Sequence, residues 1–196
     1  MLIFIDYLLN RCICFILKNN TGIFGYIYGC NYVQDPFVSP EELVAGKIIA
    51  LLGRSALRDV WDLASLPEPA VRTMDTPLFR GLFISLAGTL EHPLHSYDKK
   101  YLRRGISENS IAHLLTPMLT MGTEIRIEKL VESAWNTVKP LFALTERESE
   151  FLSLIEQGQL CPELLFPENK DVERQIASHP ALLWKINNVR AHLNRT

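Results

Sequence analysis

The sequence has no marked excess of one charge, no metal-type cysteine spacing and no low-complexity stretch. Each absence removes a class of protein. Twenty basic against 22 acidic residues leave a net charge of −2, which excludes a polybasic DNA-coating protein and leaves only local basic patches to consider. Cys12 and Cys14 are one residue apart, too close for the C-x(2–4)-C spacing that zinc sites favour, and Cys30 and Cys161 stand alone. They read as reduced thiols in apolar surroundings, which places the protein in the cytoplasm. No internal repeat is present.

The residues that are present are unevenly spread. Fourteen of the first 18 are hydrophobic, but Asp6, Asn10 and Arg11 interrupt them before the ~18 consecutive apolar residues that a membrane helix needs. No basic segment precedes the run and no small-residue cleavage site follows it, so neither a transmembrane span nor a signal peptide is expected. Ile, Phe, Tyr and Cys dominate residues 1–34, and Lys18-Asn19-Asn20-Thr21-Gly22 is a turn signal. That pattern predicts one or two strands before the turn and another across 23–33.

Asp35-Pro36 ends the apolar run, and from Ser39 the periodicity is helical. Ser39-Pro40-Glu41-Glu42 is a capping-box sequence, with Leu43, Val44, Ile48 and Leu51 at helical spacing and Gly53 as the expected stop. A second helix is predicted over 55–66, ended by Pro67 and Pro69. Further helices are predicted over 77–90, 108–120, 126–144, 146–157, 171–178 and 180–193. The expected fold is α+β and mostly α. A short β-rich segment over residues 1–35 precedes a C-terminal helical bundle over 36–196.

One region concentrates chemistry. Lys47, Ala50 and Arg54 lie at i, i+3 and i+7, on one helix face, and Asp59 and Asp62 lie at i and i+3 on the next helix. The Gly53-Arg54-Ser55 turn brings the two faces together, so two cations and two carboxylates are expected at a helix–helix corner. Such a corner suits a triphosphate: Lys and Arg neutralise phosphate charge, while a carboxylate holds a divalent metal or orients the attacking hydroxyl. The competing reading is purely structural. Arg58 and Asp62 would form a surface i, i+4 pair of about 0.3–0.5 kcal/mol, and Lys47 would be solvated.

The stretch Glu42-Leu43-x-Ala45-x-Lys47-x-x-Ala50-x-x-x-Arg54, closed by Arg58-Asp59-x-x-Asp62-Leu63, resembles the AbiEii/AbiGii toxin family of nucleotidyltransferases. His179-Pro180-Ala181-Leu182-Leu183-Trp184-Lys185 is similar to the family's C-terminal end, so the resemblance spans about residues 35–196. It implies a toxin of a toxin–antitoxin or abortive-infection (phage-defence) system that transfers a nucleotide from an NTP, with Mg²⁺, to tRNA-like RNA or to protein. Lys47 and Asp59 would then be catalytic, with Arg54, Arg58 and Asp62 binding substrate, and a cognate antitoxin would be a partner.

The chain also departs from that pattern. Relatives carry, upstream of the lysine, a Gly-Ser turn that cradles the triphosphate and paired acids on a strand that hold two Mg²⁺ ions. Nothing before Lys47 reads Gly-Ser followed by Asp-x-Asp, and Asp6 and Asp35 do not replace the pair. The expectation is therefore a truncated, impaired enzyme whose β-rich start is a remnant of the nucleotidyltransferase sheet. If it is inactive, it needs no cofactor and survives as a binding module for RNA or the antitoxin. A helical interaction protein that merely shares the capped helix and the Arg-Asp pair is the third reading.

Two more segments concentrate polar and aromatic residues. Tyr97-Asp98-Lys99-Lys100-Tyr101-Leu102-Arg103-Arg104 interleaves four cations with two aromatics, a pattern suited to RNA. Lys99, Lys100, Arg103 and Arg104 are thus candidate RNA contacts. The alternative is a short helix with solvated cations and a buried Tyr101-Leu102. His92-Pro93-Leu94-His95 has no evident third ligand, and no metal site is expected there.

Overall fold

The computed structural model describes residues 39–119 and 125–194, together with the backbone of 2–6, 13–19 and 22–27. The chain divides into two units, residues 1–38 and 39–196. In the first, β1 (Leu2–Asp6), β2 (Ile13–Asn19) and β3 (Gly22–Ile27) pair antiparallel in that order, with Leu2 opposite Leu17 and Cys14 opposite Ile27. Asp35, Cys12 and Cys30 lie outside the described residues. The protein is mostly helical, and the second unit contains no strand among its described residues.

That unit begins with α1 (Pro40–Arg54). The Ser39 hydroxyl accepts the Glu42 N–H at 3.1 Å, and Pro40, which has no N–H to leave unpaired, occupies the first turn. Next come α2 (Leu57–Ala64), α3 (Glu68–Thr73), α4 (Pro77–Ala87) and the short α5 (Lys99–Arg103). The later part contains α6 (Glu108–Ser110), α7 (Ile127–Val138), α8 (Glu146–Glu156), α9 (Lys170–Ala177) and α10 (Pro180–Leu193). Helix α1 packs on α4, α2 on α7, and α8 on both α4 and α10. Ile48, Leu51, Leu52, Val60, Leu63, Phe79, Phe83, Phe151 and Leu182 fill the space between them without solvent contact. The Phe79 and Phe83 rings lie nearly parallel, 6.2 Å apart.

Several boundaries differ from the sequence expectation, each for a local reason. Helix α1 does not stop at Gly53; it runs to Arg54 and turns at Ser55, which takes the left-handed conformation with φ 48°. Pro69, read as a terminator, opens α3 from its first turn, a position proline tolerates well. The helix expected over 108–120 is α6 followed by a π-turn over Ile111–Leu115 and a 3₁₀ turn over Thr116–Met118. Pro117 explains the change: it has no N–H and its ring would strike the carbonyl four residues back, so the backbone widens before it. Pro140 likewise ends α7 at Val138 and leaves a 3₁₀ turn over Lys139–Phe142.

A reciprocal capping box forms at α8, where the Thr145 hydroxyl accepts the Glu148 N–H and Glu148 accepts the Thr145 N–H at 2.7 Å. The same Glu148 side chain, 9% exposed, takes a bidentate bond from Arg80 of α4 at 2.6 and 2.8 Å. Arg80 also donates to the carbonyls of Leu141 and Ala143 at 2.8 and 2.7 Å. One guanidinium thus ties α4, the turn after α7 and the cap of α8 together.

No described helix is long and apolar enough to cross a membrane.

Candidate nucleotide site at the corner of α1 and α2

The Lys47 face of α1 and the Asp face of α2 meet across the two-residue link Ser55-Ala56. At one end of the corner, Lys47 Nζ donates to Asp62 Oδ2, with both side chains largely covered (12% and 17% exposed). At the other end, Arg54 grips Asp59 bidentately, Nε to Oδ2 at 2.7 Å and Nη2 to Oδ1 at 2.9 Å. Asp59 is buried, while Arg54 keeps a third of its side chain in solvent. Arg54 is the last residue of α1 and Asp59 lies in the first turn of α2, so each charge also complements its helix dipole.

The two cations and two carboxylates expected at this corner are therefore together, but each carboxylate already holds a cation. The surface Arg58–Asp62 pair of the structural reading is not formed. Asp62 turns to Lys47 instead, and Arg58 is exposed without a salt-bridge partner among the described residues. Burial raises the Asp62 carboxyl above its ordinary value and Asp59 adds to the rise, while Lys47 and Arg58 pull the other way. Ionised Asp62 is thus held at a cost, and Lys47 is the group that offsets it.

Mg²⁺ belongs to the chemistry the family resemblance implies, and the corner does not fit it. Both oxygens of Asp59 accept from Arg54 and Oδ2 of Asp62 accepts from Lys47, so each carboxylate is paired with a side-chain cation and the two do not face each other as a bare acidic pair. No cluster of three or more His, Cys, Asp or Glu side chains suited to a metal occurs among the described residues. The arrangement can present cations to an anion. Lys47, Arg54 and Arg58 sum to three positive charges against two carboxylates, and an incoming phosphate can take over a cation that Asp62 or Asp59 now holds.

The candidate RNA segment is anchored differently from a stacking platform. Tyr97 is buried and packs edge-on against Tyr101 at 4.8 Å, Leu102 has no solvent contact, and Arg104 lies 5.3 Å over the Tyr101 ring. Tyr97 therefore serves the core, since its ring has no face free for a base. Lys99 pairs with Glu132 of α7, and Arg103 donates to the Ile106 carbonyl. Lys100 and Arg104 are exposed with no salt-bridge partner among the described residues. An open depression of about 500 Å³ lies beside Lys99, lined also by Glu128, Lys129, Glu132, Ser133 and Asn136. In the C-terminal stretch, Pro180 opens α10, Leu182 is fully buried and Lys185 donates to the Leu90 carbonyl at 2.8 Å. His179 precedes that helix with its Nδ1 buried and unpartnered among the described residues, and burial holds the imidazole below its ordinary value.

Sequence reading did not single out Ser55. Its signal was a small polar residue between a helix end and a helix start, which is common and says nothing of what the hydroxyl reaches.

The family model for the nucleotidyl transferase AbiEii toxin of type IV toxin–antitoxin systems matches residues 29–145. That match covers more than half of the chain and includes the whole corner, and the chain belongs to this family. The stretch His179–Lys185 lies outside the matched residues. No curated protein and no solved structure matches the chain.

Proposed function

We propose that this protein is a cytoplasmic nucleotidyltransferase toxin whose α1–α2 corner grips the triphosphate of an NTP, and that transfer to tRNA-like RNA or to protein is strongly impaired in the chain as it stands. In this reading Lys47 contacts phosphate and Asp59 is the orienting carboxylate, with Arg54, Arg58 and Asp62 supporting them. Lys99, Lys100, Arg103 and Arg104 would guide the RNA. A cognate antitoxin is the partner that a toxin–antitoxin family implies, and defence against phage is the setting. The β-rich segment over 1–35 occupies the sequence position at which relatives carry their catalytic sheet.

The observation that supports this most is the convergence of Lys47 and Arg54 with Asp59 and Asp62 at one corner. Impairment follows from the chemistry. Phosphoryl transfer is accelerated by metal ions and preorganised donors placed around the transferring group. The sequence has no Gly-Ser followed by paired acids, and the two acids of the corner are engaged by cations.

The test uses each of four labelled NTPs with Mg²⁺ and total tRNA, alongside a titration with inorganic triphosphate. Triphosphate binding is expected, weakened by at least about tenfold in Lys47→Ala, the equivalent of about 1.4 kcal/mol. Transfer is expected to be slow and lost in the same variant. Absence of triphosphate binding, or binding and transfer indifferent to Lys47, would overturn the proposal.

A second reading, a non-catalytic binding module for RNA or the antitoxin, is favoured by the mutual neutralisation of the corner charges. Retention of labelled tRNA without any triphosphate affinity is its signature.

A further inference from the structure

We infer that Ser55 and Gly105 are positioning residues for the corner: together they set the angle between α1 and α2, and with it the placement of Lys47 and Arg54 toward a bound triphosphate. This rests on the reading of the corner as a triphosphate site.

Ser55 stands between the last residue of α1, which is Arg54, and the first turn of α2, which carries Asp59. Its φ of 48° is one that residues other than glycine rarely adopt, and among the described residues it is the sole such non-glycine position. The conformation is held from several sides. Its N–H closes the helix on the Leu51 carbonyl at 2.9 Å. Its hydroxyl, buried, lies 2.9 Å from the Tyr101 carbonyl and 3.1 Å from that of Leu102, sharing one proton between two acceptors. Gly105 completes the seat: a Cβ there would lie 2.3 Å from the Ser55 carbonyl oxygen.

Every contact of the seat involves main chain of one partner. A side chain can change rotamer to relieve a bad contact, whereas these contacts shift only if a helix shifts. The loop after α5 is therefore an abutment against which the α1–α2 link is pressed, and the charged pairs on either side inherit its position. A misplacement of ~1 Å caused by a change far from the chemistry costs up to about 100-fold in rate, and a triphosphate held by Lys47 and Arg54 would meet the same displacement.

Three variants separate the contributions. Ser55→Ala removes only the hydroxyl and keeps the left-handed backbone strained; Ser55→Gly relieves that strain but removes the whole side chain and loosens the link. Gly105→Ala drives a methyl group into the Ser55 carbonyl. Inorganic triphosphate is titrated into each, and into wild type, well below every melting temperature. Arg80→Met, whose side chain bonds Glu148 and the Leu141 and Ala143 carbonyls and none of the corner residues, serves as a variant that loses stability alone. The expected result is a loss of affinity of about tenfold in Ser55→Gly, a larger loss in Gly105→Ala, and an unchanged dissociation constant in Arg80→Met. Should Gly105→Ala fail to fold, Ser55→Gly decides. Wild-type protein that does not bind triphosphate defeats the proposed function. Wild-type protein that binds through Lys47, with Ser55→Gly binding equally well, leaves that function standing and overturns this inference.

Discussion

Replacing Arg80 by Met is expected to destabilise the helical unit by about 2–3 kcal/mol, below the ~3–5 kcal/mol of a fully buried ion pair because Arg80 keeps a quarter of its side chain in solvent. A single-domain protein has only about 5–15 kcal/mol in total, so the change takes up a large part of it. The cause is what Arg80 leaves behind. Glu148, buried at the start of α8, loses both guanidinium bonds, and the carbonyls of Leu141 and Ala143 lose their donors. Met restores most of the aliphatic volume, so a cavity contributes little. Urea denaturation followed by circular dichroism measures the loss; a change below about 1 kcal/mol would show that this knot is dispensable, as surface pairs are.

The same knot sets an acid limb. Burial alone would raise the Glu148 carboxyl, but the bonds from Arg80 and Thr145 outweigh it and hold it below its ordinary value. A carboxyl lowered in the folded state contributes stability above its unfolded value, and that contribution disappears as pH falls through the folded value. Wild-type stability should therefore fall on acidification below the ordinary glutamate value of 4.5. The gap between wild type and Arg80→Met should narrow over the same interval, because Glu148 becomes neutral in both. Denaturation midpoints measured from pH 7 down to pH 3 check this, and a constant gap would assign the destabilisation to packing.

The second large effect is expected at Leu102, in the middle of the basic segment. Leu102→Ala should cost about 2–5 kcal/mol, because a fully buried leucine loses its transfer energy and leaves a cavity. Lys100→Ala, two residues earlier and exposed, should stay within about 0.5 kcal/mol. The contrast tests how α5 is held: an anchor driven into the core by its Leu102 and by Tyr97 just before it, with cations spread over its outer side. Equal, small effects at both positions would mean that the segment is a loosely held arm instead.

Local physics made much of this protein legible in advance. Ser39-Pro40 and Thr145 with Glu148 start helices because a hydroxyl and a carboxylate satisfy N–H groups in the first turn, and the partners are three residues away in the chain. The spacing of Lys47, Arg54, Asp59 and Asp62 likewise placed them on facing sides of a corner, since helical periodicity and a two-residue link leave little choice. Prolines were harder. Pro69 begins a helix, Pro117 widens one into a π-turn and Pro140 stops one, and which of these a proline does depends on what the backbone before it can donate elsewhere.

What the sequence alone determined is the helical character of the second unit, the family and the identity of the charged residues. Each depends on residues close together in the chain or on a local pattern. Tertiary structure decided the pairing: Asp62 with Lys47 rather than Arg58, Arg80 with Glu148 across 68 residues, Ser55 with Tyr101 and Leu102 across more than 45. It also placed Tyr97 in the core. Those outcomes turn on which helix packs against which, and packing is set by the shape of the whole core, to which residues from every helix contribute at once.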